Sequence, residues 1–403
     1  MSEVKKHRLR RFDGKTVSLT AIDGNIFEGI CEYNSRDYNY HEFGYDEDGL
    51  QMVNFLFINS NIVKIKSLED VEGPYGHFSA PYGTLEEMNL TDDIDLLEDW
   101  YDEGDDIEVF RMLNCLEDHL VRNDRKREII DVLRKLHKVN ASPAVKARIA
   151  DILYPVDYYA QIFRRKSFHI FKDTGEISDE DLRELKLFIT TVTPLYPEIR
   201  TEITVVPQSE TTCKRGRQYC ITFYSEPKEG YLRNIGYIGE QIDLYLTQHN
   251  IGALWFGIGK PEEPSPQGME YVIMIAISAM AEDKFRKDMF KAKRKSLEEI
   301  WSGDTLNVAE IVRFTPSACN TQPWITENNG NELTVYRYKK PGKRGIMPAA
   351  AVQFYNRIDM GIYLFMLETC LKHEGYRFER TLFEDDGSEN EKTLTAKYQI
   401  KKA

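Results

Sequence analysis

The sequence predicts a multidomain protein with an N-terminal small β-barrel, a helical linker unit and a larger C-terminal α+β domain. Three observations lead to this prediction. The 403 residues exceed what one ordinary hydrophobic core can organise. Residues 8–68 contain short alternating apolar runs, and the hydrophobic period becomes helical from residue 107 onward. The predicted domain boundaries are therefore 1–72, 73–156 and 157–403.

The composition is that of a folded protein, with 41% hydrophobic and 12% aromatic residues. A net charge of −13 argues against general nucleic-acid binding. The six cysteines include no CxxC pair, which favours reduced structural thiols in a cytoplasmic protein. No apolar run follows the basic N-terminus, and the apolar stretch 271–281 is too short to cross a bilayer. We therefore expect no signal peptide and no membrane contact.

The N-terminal segment begins with the string GKTVSLTAIDGNIFEG, in which Asp23-Gly24 is placed as a hairpin turn. This string, with the later NIVKI, resembles the Sm-like (LSm) small barrel over residues 8–68. The resemblance implies RNA binding or ring assembly. Acids and tyrosines fill residues 37–49, where the family's base-contacting residues would fall, so RNA binding is not expected. We expect an interaction or self-association module instead.

The acidic linker and the helices after it carry no recognisable chemistry. Residues 67–110 contain fifteen acids and no Lys or Arg, but lack the ordered spacing of a calcium loop, so we expect no metal site. Apolar stripes of helical period follow in residues 107–153, and Ser142-Pro143 predicts a helix start.

Two basic clusters in the C-terminal part could bind phosphate. Arg165, Ser167 and His169 alternate in FRRKSFHIF, so an extended chain would present all three on one side. Seven Lys or Arg occur between residues 284 and 295, directly after the apolar strand 271–281. Either cluster alone is also compatible with a solvated basic surface.

An apolar helix is predicted over residues 238–246, followed by a glycine-rich turn with Gly252, Gly257 and Trp255. The GxGxxG dinucleotide fingerprint is absent, so no Rossmann domain is expected. Residues 315–324, TPSACNTQPW, concentrate short polar side chains between two prolines, as a ligand-binding loop would.

The ordered set RRKSFHIF, GEQIDLYLTQHNIGALWFGIGKP, IMIAISAMAED and PSACNTQPW resembles the FMN-dependent nitroreductase family, in its putative-nitroreductase branch, over about residues 157–400. The resemblance implies an α+β flavin domain and FMN as cofactor. It also implies a set of FMN-binding positions: Arg165, Ser167, His169, Lys293 and Arg294 at the phosphate, Ser317, Asn320 and Gln322 at the ring or ribityl chain, and Gly252 and Gly257 in the glycine turn.

The resemblance further implies that hydride passes from NAD(P)H through flavin to a small electron acceptor, with no catalytic side chain. His169 stands where the family usually has arginine, which would make phosphate binding weaker and pH-dependent. Cys319 has no histidine nearby in sequence and is interpreted as a core thiol rather than a nucleophile.

Residues 357–379 repeat the helix-then-glycine pattern of residues 238–252. This repetition predicts two related half-units, which could form the flavin interface within one chain or could be an arrangement that no longer binds flavin. Two functions therefore stay open. One is an FMN-dependent oxidoreductase; the alternative is a non-catalytic binding or regulatory protein in which the Sm-like module does the binding.

Overall fold

The structure is a computed structural model that describes residues 9–22, 24–52, 55–67, 126–138, 143–215, 218–338, 348–385 and 392–402, with the helical residues Val109, Leu113, Leu116, Glu117 and Leu120. The chain forms two compact units, Met1–Leu153 and Tyr154–Ala403. The three-domain division stays a prediction, because the boundary at residue 72 lies outside the described residues. No helix in the described ranges is long and apolar enough to cross a membrane.

The described residues between 9 and 67 form six short strands and one α-helix: β1 (Thr16–Ala21), β2 (Ile26–Ile30), β3 (Glu32–Asn34), α1 (Arg36–Phe43), β4 (Gly49–Met52), β5 (Phe55–Ile58) and β6 (Ile62–Ser67). Two antiparallel sheets result, in the orders β2-β1-β6 and β3-β4-β5. Gly24 has a φ of 85° in the β1–β2 turn, as the predicted hairpin requires.

The predicted barrel is not closed within the described residues, and this part of the fold prediction is corrected to two separate sheets. The chain passes from one sheet to the other at Cys31, since β2 pairs with β1 while β3 pairs with β4. The buried Cys31 thiol donates to the Phe12 carbonyl oxygen at 2.8 Å, which holds the bend against the core.

Helices complete this unit. The described part includes α2 (Lys126–Lys138) and α3 (Pro143–Leu153), the second of which begins at the predicted proline. The predicted apolar stripe is confirmed by the burial of Ile129, Leu133 and Leu136. Most of the predicted acidic linker, residues 68–108, lies outside the described residues.

The C-terminal unit has an α+β architecture, with nine strands in two sheets among its described residues. Its elements are α4 (Tyr158–Arg164), α5 (Asp179–Ile189), β7 (Thr201–Pro207), β8 (Tyr219–Ser225), α6 (Tyr231–Gln248), β9 (Ile251–Phe256), β10 (Glu270–Ala279), α7 (Leu297–Ile300), β11 (Trp301–Ser302), α8 (Ala309–Val312), β12 (Trp324–Asn328), β13 (Glu332–Tyr338), α9 (Val352–His373), β14 (Tyr376–Leu382) and β15 (Lys392–Lys402).

This unit contains the predicted repetition. The first half-unit is β7, β8, α6, β9 and β10, with sheet order β7-β8-β10-β9; the second is β12, β13, α9, β14 and β15, with sheet order β12-β13-β15-β14. In both, the helix follows the second strand, and all pairings within the half-unit are antiparallel. Strand β11 is added in parallel at the edge of the second sheet. The same topology is thus built twice.

The two long helices α6 and α9 cross at a pair of glycines. A Cβ atom on Gly236 would lie 2.0 Å from the Ile358 carbonyl oxygen, and one on Gly361 would lie 1.9 Å from the Arg233 carbonyl oxygen. Glycine within a helix costs about 1 kcal/mol relative to alanine, so its presence at this crossing reflects direct backbone packing. Both helices are buried along most of their length.

We expect Gly361→Ala to lower the free energy of unfolding by about 3 kcal/mol or more, because the added methyl must push the two helices apart. Chemical denaturation measures the effect. Gly175→Ala is the matched control, since its Cβ would meet only Ala279 at an ordinary 3.7 Å. A Gly361→Ala protein as stable as this control would contradict the close crossing.

Candidate functional site

A buried ion pair joins the first basic segment to α6. The Arg165 guanidinium donates from Nε and Nη2 to Asp243 Oδ2, at 2.9 and 2.7 Å. The indole Nε1 of Trp255 donates to the same oxygen at 2.8 Å. Both charged side chains are almost fully buried, so the Arg165 position is set by α6 and β9 rather than by solvent.

Glu240 lies one turn before Asp243, with Oε1 3.8 Å from Arg165 Nε. Its side chain is fully buried, and neither carboxylate oxygen has a hydrogen-bond partner in the described part of the chain. Burial raises the pKa of Glu240 well above its ordinary value, against the opposing effect of Arg165. Burial thus disfavours the ionised form of Glu240 beside the Arg165–Asp243 pair.

The segment that follows Arg165 lies along the start of β9. Ser167 forms an isolated bridge with Ala253 and accepts from Arg165 Nη2 at 3.4 Å. A Cβ on Gly252 would meet Met280 and the Phe168 ring, so only glycine lets the two segments approach. His169 is exposed, and no hydrogen bond or ion pair within the described ranges joins it to these groups. The structure thus brings Arg165, Ser167 and Gly252 together, but not His169.

The loop of residues 317–322, here called the motif loop, has a strained backbone. Cys319, Asn320 and Gln322 have φ values of 49°, 57° and 48°, in the left-handed region that residues other than glycine seldom occupy. Three such residues within four positions cost of order 1–3 kcal/mol each. Strain of this kind persists only where surrounding contacts fix it, and such contacts are present.

The polar groups of the motif loop bind each other and the second basic segment. Ser317 Oγ accepts from the Gln322 N–H at 3.0 Å, and Gln322 Oε1 accepts from the Lys295 N–H at 2.9 Å. Asn320 Nδ2 donates to the Lys293 carbonyl oxygen at 3.1 Å, while its Oδ1 accepts from Arg294 Nη1 at 3.0 Å. The loop therefore positions residues 293–295, and Arg294 above all.

Four arginines lie close enough to influence one another electrostatically: Arg165, Arg286, Arg294 and Arg313. One of them, Arg294, binds the motif loop. Burial and the other three arginines lower the pKa of Arg294 to about 10. Burial lowers the pKa of Arg286, and the charge of Arg165 lowers it further. Among the described residues, no carboxylate lies within 4.0 Å of Arg286 or Arg294, and Arg294 Nε is buried without a hydrogen-bond partner. Mutually repelling cations of this kind fit a bound anion.

Sequence reasoning missed two of these arginines. Arg286 belongs to the run of seven cations, but nothing in that run separates it from its exposed neighbours such as Lys291. Arg313 lies at the end of α8, outside every motif, and its sequence position gives no signal of the cluster. Both are recognised only when the chain is folded.

Tyr355 of α9 packs against the glycine turn. Its hydroxyl donates to the Gly257 carbonyl oxygen at 2.7 Å, and its ring fills the space that a Gly257 side chain would need. Burial raises the pKa of Tyr355, with a further contribution from Cys319 of the motif loop. The glycine turn of the first half-unit is thus held by the long helix of the second. Cys319 is exposed and Gln322 is buried.

Comparison with known proteins agrees with this architecture. The family model described as "Putative TM nitroreductase" matches residues 157–370, just over half of the chain, and the protein belongs to this family. The match does not reach the N-terminal unit, so the Sm-like resemblance stays a prediction. Membership places the C-terminal unit among nitroreductase-like oxidoreductases.

One solved structure, a putative nitroreductase from Thermotoga maritima, is similar at 17% identity, with 61% of this chain and 94% of that chain covered and a TM-score of 0.39. No curated protein matches this chain. Within the described residues, no cluster of three or more His, Cys, Asp or Glu could hold a metal ion.

We expect Arg165→Met to lower the free energy of unfolding by about 3 kcal/mol near neutral pH, because it leaves a buried Asp243 carboxylate without its cation. Denaturant unfolding at neutral pH measures the effect. Arg183→Met is the control, because that exposed arginine pairs with exposed or half-exposed glutamates. Equal losses in the two variants would contradict the ion-pair assignment.

Proposed function

We propose that the C-terminal unit binds FMN and acts as an NAD(P)H-dependent oxidoreductase that reduces a small electron acceptor. The observation that carries this proposal is the cluster of guanidinium groups beside the strained motif loop. Family membership supports it, because the chain has the scaffold of a nitroreductase-like oxidoreductase.

The phosphate of FMN fits the arginine cluster on three grounds. A phosphate monoester carries close to two negative charges at neutral pH, which would offset the repulsion among Arg286, Arg294 and Arg313. The buried Nε of Arg294 lacks a hydrogen-bond partner in the described structure and would gain one. The guanidinium group of Arg294 is held in place by Asn320 and by the Phe314 carbonyl oxygen.

We propose a different role for Arg165 from that of Arg286 and Arg294. Two of its nitrogen atoms already bind Asp243, so its net charge is largely compensated and its contribution to phosphate binding is secondary. Ser167 and Lys293 are proposed to lie at the rim of the anion site, through their links to Arg165 and Asn320. The assignment of His169 to the phosphate stays a prediction.

The ring and ribityl chain of FMN are proposed to lie against the motif loop and the glycine turn. Ser317, Asn320 and Gln322 shape this surface through their hydrogen bonds inside the loop. Gly252 and Gly257 allow Phe168 and Tyr355 to pack against the turn, so their role is to bring the walls of the site together.

FMN, when bound, supplies the capacity to accept hydride from NAD(P)H and pass reducing equivalents to an acceptor. The side chains of this unit then need only bind and orient, and no acid–base residue is assigned. Cys319 lies at the surface of the motif loop, and no described hydrogen bond joins it to a base. It is therefore not assigned as a nucleophile.

The test compares FMN with riboflavin, which lacks the phosphate. We expect the wild-type protein to bind FMN about 100-fold more tightly than riboflavin, because charge-assisted hydrogen bonds each contribute about 1.5–3 kcal/mol. In Arg286→Ala/Arg294→Ala, the affinity for FMN should fall to that for riboflavin, while riboflavin binding stays unchanged. Fluorescence titration measures both affinities, and bleaching of the retained flavin by NADH or NADPH tests the redox activity.

Lys291→Ala is the matched control, because Lys291 belongs to the same basic segment but is exposed and pairs with Asp288. It should preserve the preference for FMN. Equal binding of the two flavins by the wild-type protein, or no binding of either, would contradict the proposal.

The second candidate function is that of a binding or regulatory protein on a nitroreductase-like scaffold. A protein that retains no flavin would favour it. The N-terminal unit offers a surface for it, with several large apolar side chains that are at least 59% exposed: Ile22, Ile26, Ile30, Phe55 and Val63. Self-association through this unit is proposed on the same observation.

A further inference from the structure

The two half-units place matching residues 125 positions apart on their long helices. Gly236 and Gly361 form the crossing, and Asn250 and Gly375 follow the two helices with φ values of 56° and 75°. The same spacing relates Asn234 of α6 to Asp359 of α9. One position therefore carries an amide in the first half-unit and a carboxyl group in the second.

Both residues hold the loop that precedes the first strand of their own half-unit. Asn234 Oδ1 accepts from the backbone N–H groups of Leu195 and Tyr196, at 2.8 and 3.0 Å. Asp359 Oδ1 accepts from the backbone N–H of Ala318 at 2.8 Å. Each of these loops starts with Thr-Pro, at positions 193 and 315. The second of them contains the motif loop, so Asp359 holds the strained backbone of the proposed flavin site.

The Asp359 carboxyl group is buried, and its Oδ2 atom has no hydrogen-bond partner in the described part of the chain. Burial raises the pKa of Asp359 to about 8, while the Ala318 N–H and the Thr321 hydroxyl lower it. No charged side chain within the described ranges contributes to this pKa shift. The equivalent position in the first half-unit is occupied by an amide, which is neutral at every pH and also accepts backbone N–H groups of the preceding loop.

We propose that Asp359 is a positioning residue that holds the motif loop as a neutral carboxylic acid, and that its ionisation loosens the loop and with it Arg294. The neutral form accepts the Ala318 N–H through one oxygen and can direct its O–H towards Thr321. The ionised form places an uncompensated charge in an apolar site, and the chain must open to hydrate it. The link to Arg294 runs through Asn320.

The comparison with Asp359→Asn separates Asp359 from the other titratable groups around it. Burial raises the pKa values of Tyr355 and Tyr363 on α9, so both tyrosines stay neutral in this range. Arg294 has a pKa lowered to about 10, which leaves it charged at pH 8–9. The exposed thiol of Cys319 is common to wild type and Asp359→Asn, so a difference between the two proteins comes from Asp359.

The sign of the effect follows from linkage. Because the folded-state pKa of Asp359 lies above its ordinary value of 3.8, the stability that its neutral form contributes is complete below about pH 4 and is lost as pH rises to about 8. Asp359→Asn removes this dependence. It should therefore have about the same melting temperature as the wild type near pH 4 and a higher one at pH 8.5.

The decisive measurement is amide hydrogen exchange of peptides covering residues 314–324, without flavin, from pH 6 to pH 9. An open loop returns Asp359 to its ordinary pKa, so between pH 6 and pH 8 exchange in the wild type should accelerate relative to Asp359→Asn by up to about tenfold per pH unit. Above about pH 8 the ratio of the two exchange rates should level off. Loosening of both proteins by the same factor would overturn the inference.

Asn234→Asp is the complementary variant. It should transfer the pH-dependent exchange to residues 193–198 and leave residues 314–324 unchanged. Asp359→Ala should exchange faster at every pH, because it removes the acceptor of the Ala318 N–H. If Asn234→Asp fails to fold, the comparison of wild type with Asp359→Asn still decides the matter.

The flavin consequence rests on the proposed function and is measured separately. The affinity for FMN should fall between pH 7 and pH 9 in the wild type but not in Asp359→Asn. Failure to bind FMN at any pH would overturn the proposed function alone, since the exchange experiment uses no flavin. If hydrogen exchange depends on pH but the affinity for FMN does not, the link from Asp359 to Arg294 would be overturned.

Discussion

The contact on which the C-terminal unit depends is the crossing of α6 and α9 at Gly236 and Gly361. With no side chain at either position, the backbones touch, and the two helices are buried along most of their length. The half-units are thereby fixed to each other by direct backbone packing, to which the Tyr237 hydroxyl adds a buried hydrogen bond to Glu368. Every later feature of the site, from the Arg165–Asp243 pair to the motif loop, is attached to one of these two helices.

Two equivalent buried acids have different roles in the two half-units. Asp243 and Glu368 are 125 positions apart, and each binds the residue twelve positions on, Trp255 or Arg380. Glu368 also accepts from two tyrosine hydroxyl groups, so its oxygens are satisfied within the helix–sheet core. Asp243 instead accepts from Arg165, which draws the first basic segment to the site. A common scaffold thus serves packing in one half and site assembly in the other.

Local patterns in the sequence predicted the regular elements well. The apolar run 271–281 is strand β10, the stripe 238–246 lies in α6, and Ser178 caps α5 as its spacing with Asp181 predicts. The site could be predicted only as separate motifs. The approach of Arg313 to Arg294, and of Asp359 to Ala318, joins residues distant in the chain, and no periodicity reports such contacts.

The N-terminal barrel is not closed within the described residues, and the sequence failed to predict this for a related reason. Alternation of apolar residues predicts strands and their inward faces, but not which strands pair. The break at Cys31, where the chain leaves one sheet for the other, has no distinctive signal in the sequence. The polar side chains of the motif loop were expected to face a ligand, whereas they bind mostly to the loop itself and to residues 293–295.

The central claim is that one chain assembles a single anion-binding flavin site from its two half-units. A crystal structure of the protein with FMN tests it most directly. The account predicts that the phosphate lies against Arg286 and Arg294, and that the ring contacts the motif loop and the Gly252–Gly257 turn of the same chain. A flavin held between two chains, or bound away from these arginines, would contradict it.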